Sequence, residues 1–179
     1  FIHYNPEILV INNIEYDHSD IFKNLDEIIK QFHFLLRTMS ERTNVIIPDN
    51  DKNISRLINQ GCWSQIKKFS GLKGADIQFE YRSSESCLKV MPLNKEPVTG
   101  RIPLLGKHNS ANVTAAILAC QTAGLDVERS LASLASFQNV SRRLELVGTF
   151  NDIKIYNDFA HHPTAIVKTI EAISSRIGT

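Results

Sequence analysis

Two short runs in this chain carry side chains that could do chemistry together. One is Gly106-Lys107-His108-Asn109 with Asn112, at the mouth of an Ala-rich stretch that reaches Ala119. The other is Asp158-Phe159-Ala160-His161-His162-Pro163, which closes a β-rich segment. Amides, imidazoles and a carboxylate crowded where one element meets the next face the crevice that α/β proteins use for ligands, and together they suit a nucleotide. Asn109 and Asn112 lie three apart, hence on one face of a helix's first turn, where an amide can both donate to and accept from a base edge. Asn109 could equally be an N-cap. His161 and His162 are adjacent and diverge in direction, so the spacing predicts that one of them faces a cleft. A solvated helix opening before Pro163 is the plainer alternative.

Two further groups invite the same question. Asp17-His18-Ser19-Asp20 reads, from its residues alone, as a helix opening in which Asp17 or Ser19 caps and the dipole favours Asp20. Arg142 and Arg143 sit in a polar linker. A guanidinium fork suits two phosphate oxygens, and a surface carboxylate is the ordinary competing partner.

Elements must position these groups. Residues 8–14 (ILVINNI) form an apolar run capped by two Asn, as a strand buried on both faces would, and the opening FIHYNPEILVI reads as a strand rather than a signal peptide. Residues 21–37 place Ile21, Leu25, Ile28, Ile29, Phe32, Leu35 and Leu36 at helical spacing, and residues 43–48 give another short strand. Strand, helix, strand predicts an α/β fold with a parallel sheet. After a short helix ending at Gly61, the runs 75–82, 86–93 and 98–105 predict an antiparallel extension. Helices are expected over 109–123 and 127–137. Residues 138–143 then read as a linker before a hairpin turning at Asn151-Asp152 and a helix opened by Pro163. This places one domain over 1–139 and the beginning of a second over 140–179.

Composition bounds the function. With 179 residues, 42% hydrophobic and 22% charged, the chain can build one good core and part of another. A net charge of +1 and the lack of a basic stripe argue against nucleic acid. No apolar run approaches the roughly 20 residues of a membrane span. Cys62, Cys87 and Cys120 are odd in number and widely spaced, which fits reduced thiols in the cytoplasm. A start without Met and an end inside a helical pattern suggest a piece of a longer protein.

Four stretches carry a resemblance: residues 12–20 (NNIEYDHSD), 106–116 (GKHNSANVTAA), 141–148 (SRRLELVG) and 156–166 (YNDFAHHPTAI). In order and spacing they resemble four consecutive signatures of the Mur ligases, ATP-dependent amide-bond-forming enzymes of peptidoglycan synthesis. Residues 1–22, 31–38 and 158–166 look closest to the branch that recycles cell-wall peptide, joining L-alanyl-γ-D-glutamyl-meso-diaminopimelate (the murein tripeptide) to UDP-N-acetylmuramate. The branch that adds L-alanine shares His-His-Pro but usually has Tyr-Gly where Phe159-Ala160 stand. The resemblance implies the latter part of a central ATPase domain, a mostly parallel sheet with an antiparallel extension, followed by the start of a Rossmann-like C-terminal domain. It also implies ATP and Mg2+ as cofactors. Family members carry a Gly-rich phosphate loop ending in Gly-Lys-Thr or Ser, and no GxxxxGK[ST] occurs here.

Residue by residue, the resemblance makes Arg143 the γ-phosphate contact, with Arg142 beside it, and His18 the group associated with Mg2+. Asn109 and Asn112 would lie by the adenine and Asp158 by the ribose hydroxyls. His161 and His162 would lie near nucleotide or acyl phosphate, and Asn13 and Asp17 would face the substrate. A histidine is an unusual partner for Mg2+, which prefers oxygen ligands. A reading of another class also stands: a noncatalytic nucleotide-binding module that keeps the fold without the phosphate loop.

Overall fold

In the computed structural model, which describes residues 2–177, six strands form one sheet in chain order. β1 (Ile8–Val10), β2 (Asn44–Pro48), β3 (Gln65–Ser70) and β4 (Ile77–Arg82) run parallel, and β5 (Cys87–Pro92) and β6 (Val98–Arg101) extend the sheet antiparallel. The predicted α/β class and its antiparallel extension are both present.

Alternation along β2 organises the layers. Val45 and Ile47 turn to one face and Ile46 to the other, and all three are buried. On the first face α1 (Leu25–Thr38) and α2 (Lys52–Asn59) bring Ile29, Leu36, Ile54 and Leu57 against them. On the second, α3 (Lys107–Thr122) and α4 (Val127–Ser133) bring Val113, Ile117 and Leu131. Each fully buried Ile or Leu contributes roughly 1.5–3 kcal/mol relative to exposure. Small residues let α3 lie close to the sheet, and its buried Ser110 and Thr114 hydroxyls return their protons to the Lys107 and Ser110 carbonyls.

Four expectations need correction. The first strand is three residues long and stands at the sheet edge, because Asn5 takes a left-handed backbone (φ 44°) just before Pro6 and residues 2–3 turn. Its predicted first residue, Phe1, lies outside the described residues, as do Gly178 and Thr179 of the last predicted helix. Second, α1 begins at Leu25 rather than near Ile21. Asn24 caps it by accepting from the Glu27 N–H at 3.0 Å, while the Glu27 carboxylate accepts from the Lys23 N–H at 2.7 Å. Such caps are worth about 1 kcal/mol. Third, residues 17–20 are not a helix opening but a turn, in which the His18 carbonyl accepts from the Ile21 and Phe22 N–H groups at 2.8 and 2.9 Å. Fourth, β3 had no counterpart in the sequence reading. Lys67 and Lys68 break its apolar pattern, and the structure sends their ammonium groups to Thr122 and Asp49 while Phe69 stays in the core.

After residues 137–140, which have no regular structure, β7 (Glu145–Phe150) and β8 (Ile153–Asn157) form a separate hairpin. Asn151 and Asp152 both have positive φ, the requirement of a tight two-residue turn. α5 (Pro163–Ile177) follows and returns to the main body, where Ala172 is buried. Gly106, the N-cap of α3, makes that approach possible. Its φ is 89°, and a Cβ there would lie 2.7 Å from the Ala172 Cβ. The three cysteines are free, and among the described residues no helix is long and apolar enough to cross a membrane.

Candidate functional site

The loop that leaves the C-terminal end of β1, the first turns of α3, the linker and the β8–α5 loop converge on one cleft of about 980 Å3. That volume is ample for a nucleotide-sized ligand. Asn13, Asp17, His18, Asn109, Asn112, Arg143, Asp158, His161 and His162 all line it. Arg142 does not. Its guanidinium lies 4.9 Å from the centre of the Phe159 ring.

Arg143 is presented by a clamped stretch of backbone. Its neighbours Arg142 and Leu144 both have positive φ (60° and 48°), a conformation that costs a non-glycine residue of order 1 kcal/mol or more. Hydrogen bonds hold it in place. The Phe159 N–H donates to the Arg142 carbonyl at 2.7 Å, Asn139 Nδ2 to the Arg143 carbonyl at 2.6 Å, and the Leu144 N–H to Asp158 Oδ2 at 2.8 Å. Among the described residues the Arg143 guanidinium itself has no hydrogen-bond or ion-pair partner, and it stands in the cleft wall.

Asp158 is therefore part of that clamp. Its Oδ1 also accepts from the Ala160 N–H at 2.8 Å and from the Thr169 hydroxyl at 3.2 Å. A carboxylate has about four acceptor positions, so it retains room for one further donor and not for two ribose hydroxyls. Burial pushes this carboxyl upward, but the Leu144, Ala160 and Thr169 donors and the nearby Arg143 charge outweigh it and hold the group below the usual carboxylate range. The sign follows. A pKa lower in the folded than in the unfolded chain means a contribution present above the unfolded value, about 3.9, and lost as pH falls through the folded value. Asn at this position would leave one backbone N–H facing an amide NH2. Asp158→Asn is thus expected to melt at lower temperature than wild type at pH 7, with the gap closing below about pH 4. A gap that stays constant from pH 7 to pH 3 would remove the carboxylate from this role.

Both histidines line the cleft, where the spacing had predicted one, and they differ in what holds them. His161 Nδ1 lies 2.9 Å from the Phe159 carbonyl and its ring meets Phe159 edge-on, so it is tethered to its own loop. His162 reaches across the cleft: Nε2 donates to the Tyr16 carbonyl at 3.1 Å and Nδ1 stands 3.6 Å from Glu15. This ties the β8–α5 loop to the loop after β1.

That second loop carries His18 in a left-handed conformation (φ 55°), fixed by the turn below it. Asp17 Oδ1 accepts from the His18 N–H at 2.7 Å, a bond that draws the carboxyl below its ordinary range. Among the described residues no group of three His, Cys, Asp or Glu side chains is gathered to cage a metal. Mg2+ binds through one or two protein groups, waters and phosphate oxygens. Asp17 Oδ2 and the exposed His18 imidazole fit a metal that arrives on a nucleotide.

Asn109 is not the N-cap of α3, since Gly106 holds that position. Its amide and that of Asn112 both reach the cleft. The structure adds residues that the motif reading passed over: Asn12, His108, Asn139, Lys168 and Thr169. His108 lay inside a quoted motif without a role. Burial, and then the Lys168 charge, hold its imidazole below the usual histidine range, so the neutral form is favoured there. Lys168 and Thr169 lie one to two turns beyond Pro163, and only the packing of α5 brings them in.

Known proteins share this chain's sequence pattern and fold. The family model "Mur ligase middle domain" matches residues 2–120. The UDP-N-acetylmuramate–L-alanyl-γ-D-glutamyl-meso-2,6-diaminoheptandioate ligase of Escherichia coli is 38% identical over 178 residues, covering 99% of this chain and 39% of that protein. The UDP-N-acetylmuramate–L-alanine ligase of Acetivibrio thermocellus is 31% identical over 180 residues, covering 98% and 38%. The crystal structure of a murein peptide ligase from Psychrobacter arcticus superposes with a TM-score of 0.75 at 31% identity, over 97% of this chain and 36% of that one. The chain spans about two fifths of the length of the curated relatives it matches. With the family model matching about two thirds of its length and the fold superposing on a solved member, this chain belongs to the Mur ligase family.

Proposed function

We propose that this chain serves in an ATP-dependent carboxylate–amine ligase that joins UDP-N-acetylmuramate to L-alanyl-γ-D-glutamyl-meso-diaminopimelate in the cytoplasm, returning murein peptide to cell-wall synthesis. The observation that carries the reading is the convergence of four separate segments, 12–18, 108–112, 139–144 and 158–162, on one cleft. The relative that names this tripeptide is 38% identical, against 31% for the one that names L-alanine. The domain boundary belongs to the same proposal: residues 1–139 act as part of the central domain and 140–179 open the C-terminal one.

The chemistry accounts for the residue types. The sugar carboxylate attacks the γ-phosphorus, the bond to the ADP oxygen breaks, and an acyl phosphate forms. The peptide amine then adds to the acyl carbon, and the tetrahedral intermediate expels inorganic phosphate as the amine proton is lost. Both steps gather negative charge. Asn109 and Asn112 hold the adenine, and Asp158 accepts from one ribose hydroxyl while keeping the linker in shape. The Arg143 fork meets the transferring phosphoryl oxygens. His162 holds the β8–α5 loop against the loop after β1, where Asn13 and Asp17 face the sugar substrate, and His161 lies at the phosphate side of the same loop. Bound through Asp17 and His18, Mg2+ would supply neutralising charge to the phosphates.

The full-length protein supplied with ATP, UDP-N-acetylmuramate and tripeptide is expected to release ADP and form the ligated product, measurable by mass. Product with L-alanine in place of tripeptide would move the assignment to the alanine-adding branch, and nucleotide binding without any ADP release would leave a noncatalytic module. The 179-residue chain alone is expected to show no turnover, having no GxxxxGK[ST] loop.

A further inference from the structure

Two amides at the opening of α3 are each half committed to the protein. Asn109 donates Nδ2 to the Leu105 carbonyl at 2.8 Å, and Asn112 accepts at Oδ1 from Asn12 Nδ2 at 3.0 Å. A side-chain amide has an acceptor at one end and a donor at the other. Spending the nitrogen of Asn109 leaves its oxygen for a ligand, and spending the oxygen of Asn112 leaves its NH2. Both residues line the cleft, three apart on one face of α3. The wall therefore shows one acceptor beside one donor, in a fixed order.

A purine base distinguishes itself at position 6. Adenine has an amino donor there, flanked by ring nitrogens that accept, whereas guanine has an accepting oxygen. In one and the same pose, the adenine amino group meets Asn109 Oδ1 and a neighbouring ring nitrogen meets Asn112 Nδ2. Guanine would set oxygen against oxygen. The order of donor and acceptor depends on Asn12, which arrives from the loop after β1, one hundred residues away in the chain.

We infer that Asn12 is a specificity-determining positioning residue: by holding the Asn112 amide in one orientation, it makes the opening of α3 select adenine over guanine nucleotides. The inference rests on the ATP reading above and adds to it the residue that sets base selectivity. Asn12 is exposed and its partner is a side chain, so substitutions there leave the core intact.

The test uses the full-length protein, with ATP, GTP, 1-deaza-ATP and 7-deaza-ATP as probes and ADP or GDP release as the signal. Asn12→Asp offers only acceptors, draws the Asn112 NH2 toward itself and turns its oxygen to the base. The KM for ATP is expected to rise about tenfold in Asn12→Asp, the scale of an unsatisfied polar group, and by less in Asn12→Leu. In both variants kcat should stay within about twofold, because the base does not change during reaction. Wild type should lose affinity for one of the two deaza analogues, and Asn12→Asp should lose nothing further with that analogue. Unchanged KM and unchanged selectivity in both variants would overturn the inference, as would equal losses with ATP and GTP, the mark of a merely structural role. A wild-type protein that uses neither nucleotide would instead overturn the ATP reading beneath it.

Discussion

Replacing Arg143 by alanine in the full-length protein is expected to lower kcat by about a hundredfold or more, with a much smaller change in the KM for ATP. The reason is where the group stands and what surrounds it. Its guanidinium lines the cleft without a hydrogen-bond or ion-pair partner among the described residues, while its backbone is pinned by Asn139, Phe159 and Asp158. The backbone that presents this cation is fixed before the reaction begins, and the proposed contact strengthens as charge grows on the transferring oxygens. Arg143→Lys keeps the charge and loses the fork. It is expected to recover only part of the rate, and full recovery would show that two-point contact was never needed. A normal kcat with a raised KM in Arg143→Ala would assign the residue to ground-state nucleotide binding instead. Asp158→Asn loosens the same clamp through Leu144, so it should lower kcat as well as raise the KM for ATP.

His18→Ala is expected to reduce the rate by tenfold or more and to raise the Mg2+ concentration needed for half-maximal activity, the scale seen when a metal's supporting groups are removed. Its melting temperature should barely move, because the side chain is 68% exposed and its one ion-pair contact, Asp17 at 4.0 Å, is exposed too. The backbone supplies a control. His18 has a φ of 55°, which Asn adopts more readily than other non-glycine residues. His18→Asn therefore keeps the turn while removing the imidazole, and it should share the Mg2+ phenotype of His18→Ala. Wild-type Mg2+ dependence in His18→Asn, alongside a defect in His18→Ala, would mean that the turn matters and the ring does not.

Much of this was legible in the chain itself. The layers of the main sheet follow from local patterns: the short apolar run in residues 43–48, helical spacing in 21–37 and the short β-rich runs after residue 75. The hairpin at Asn151-Asp152 and the helix at Pro163 followed from turn chemistry. What failed did so for identifiable reasons. β3 was hidden because two lysines in its middle find partners that only the fold brings near, Thr122 and Asp49. The helix opening expected at residues 17–20 competed with a better cap four residues on, where Asn24 and Glu27 satisfy two backbone donors at once.

At the site, sequence alone determined which residue types were present and that they lay beside the ends of elements, because composition, motif order and periodicity are local properties of a chain. Which atoms remain free to meet a ligand was decided by tertiary structure. Arg142 and Arg143 are neighbours on paper, and in the fold Arg143 lines the cleft while the Arg142 guanidinium lies over the Phe159 ring. His161 and His162 are likewise interchangeable until Tyr16 and Glu15 take hold of the second. Asp158 looks like an open ribose contact until Leu144, Ala160 and Thr169 use most of its acceptor positions. A hydrogen-bonding atom serves few partners, and those already used by the fold come from residues whose nearness no local pattern records.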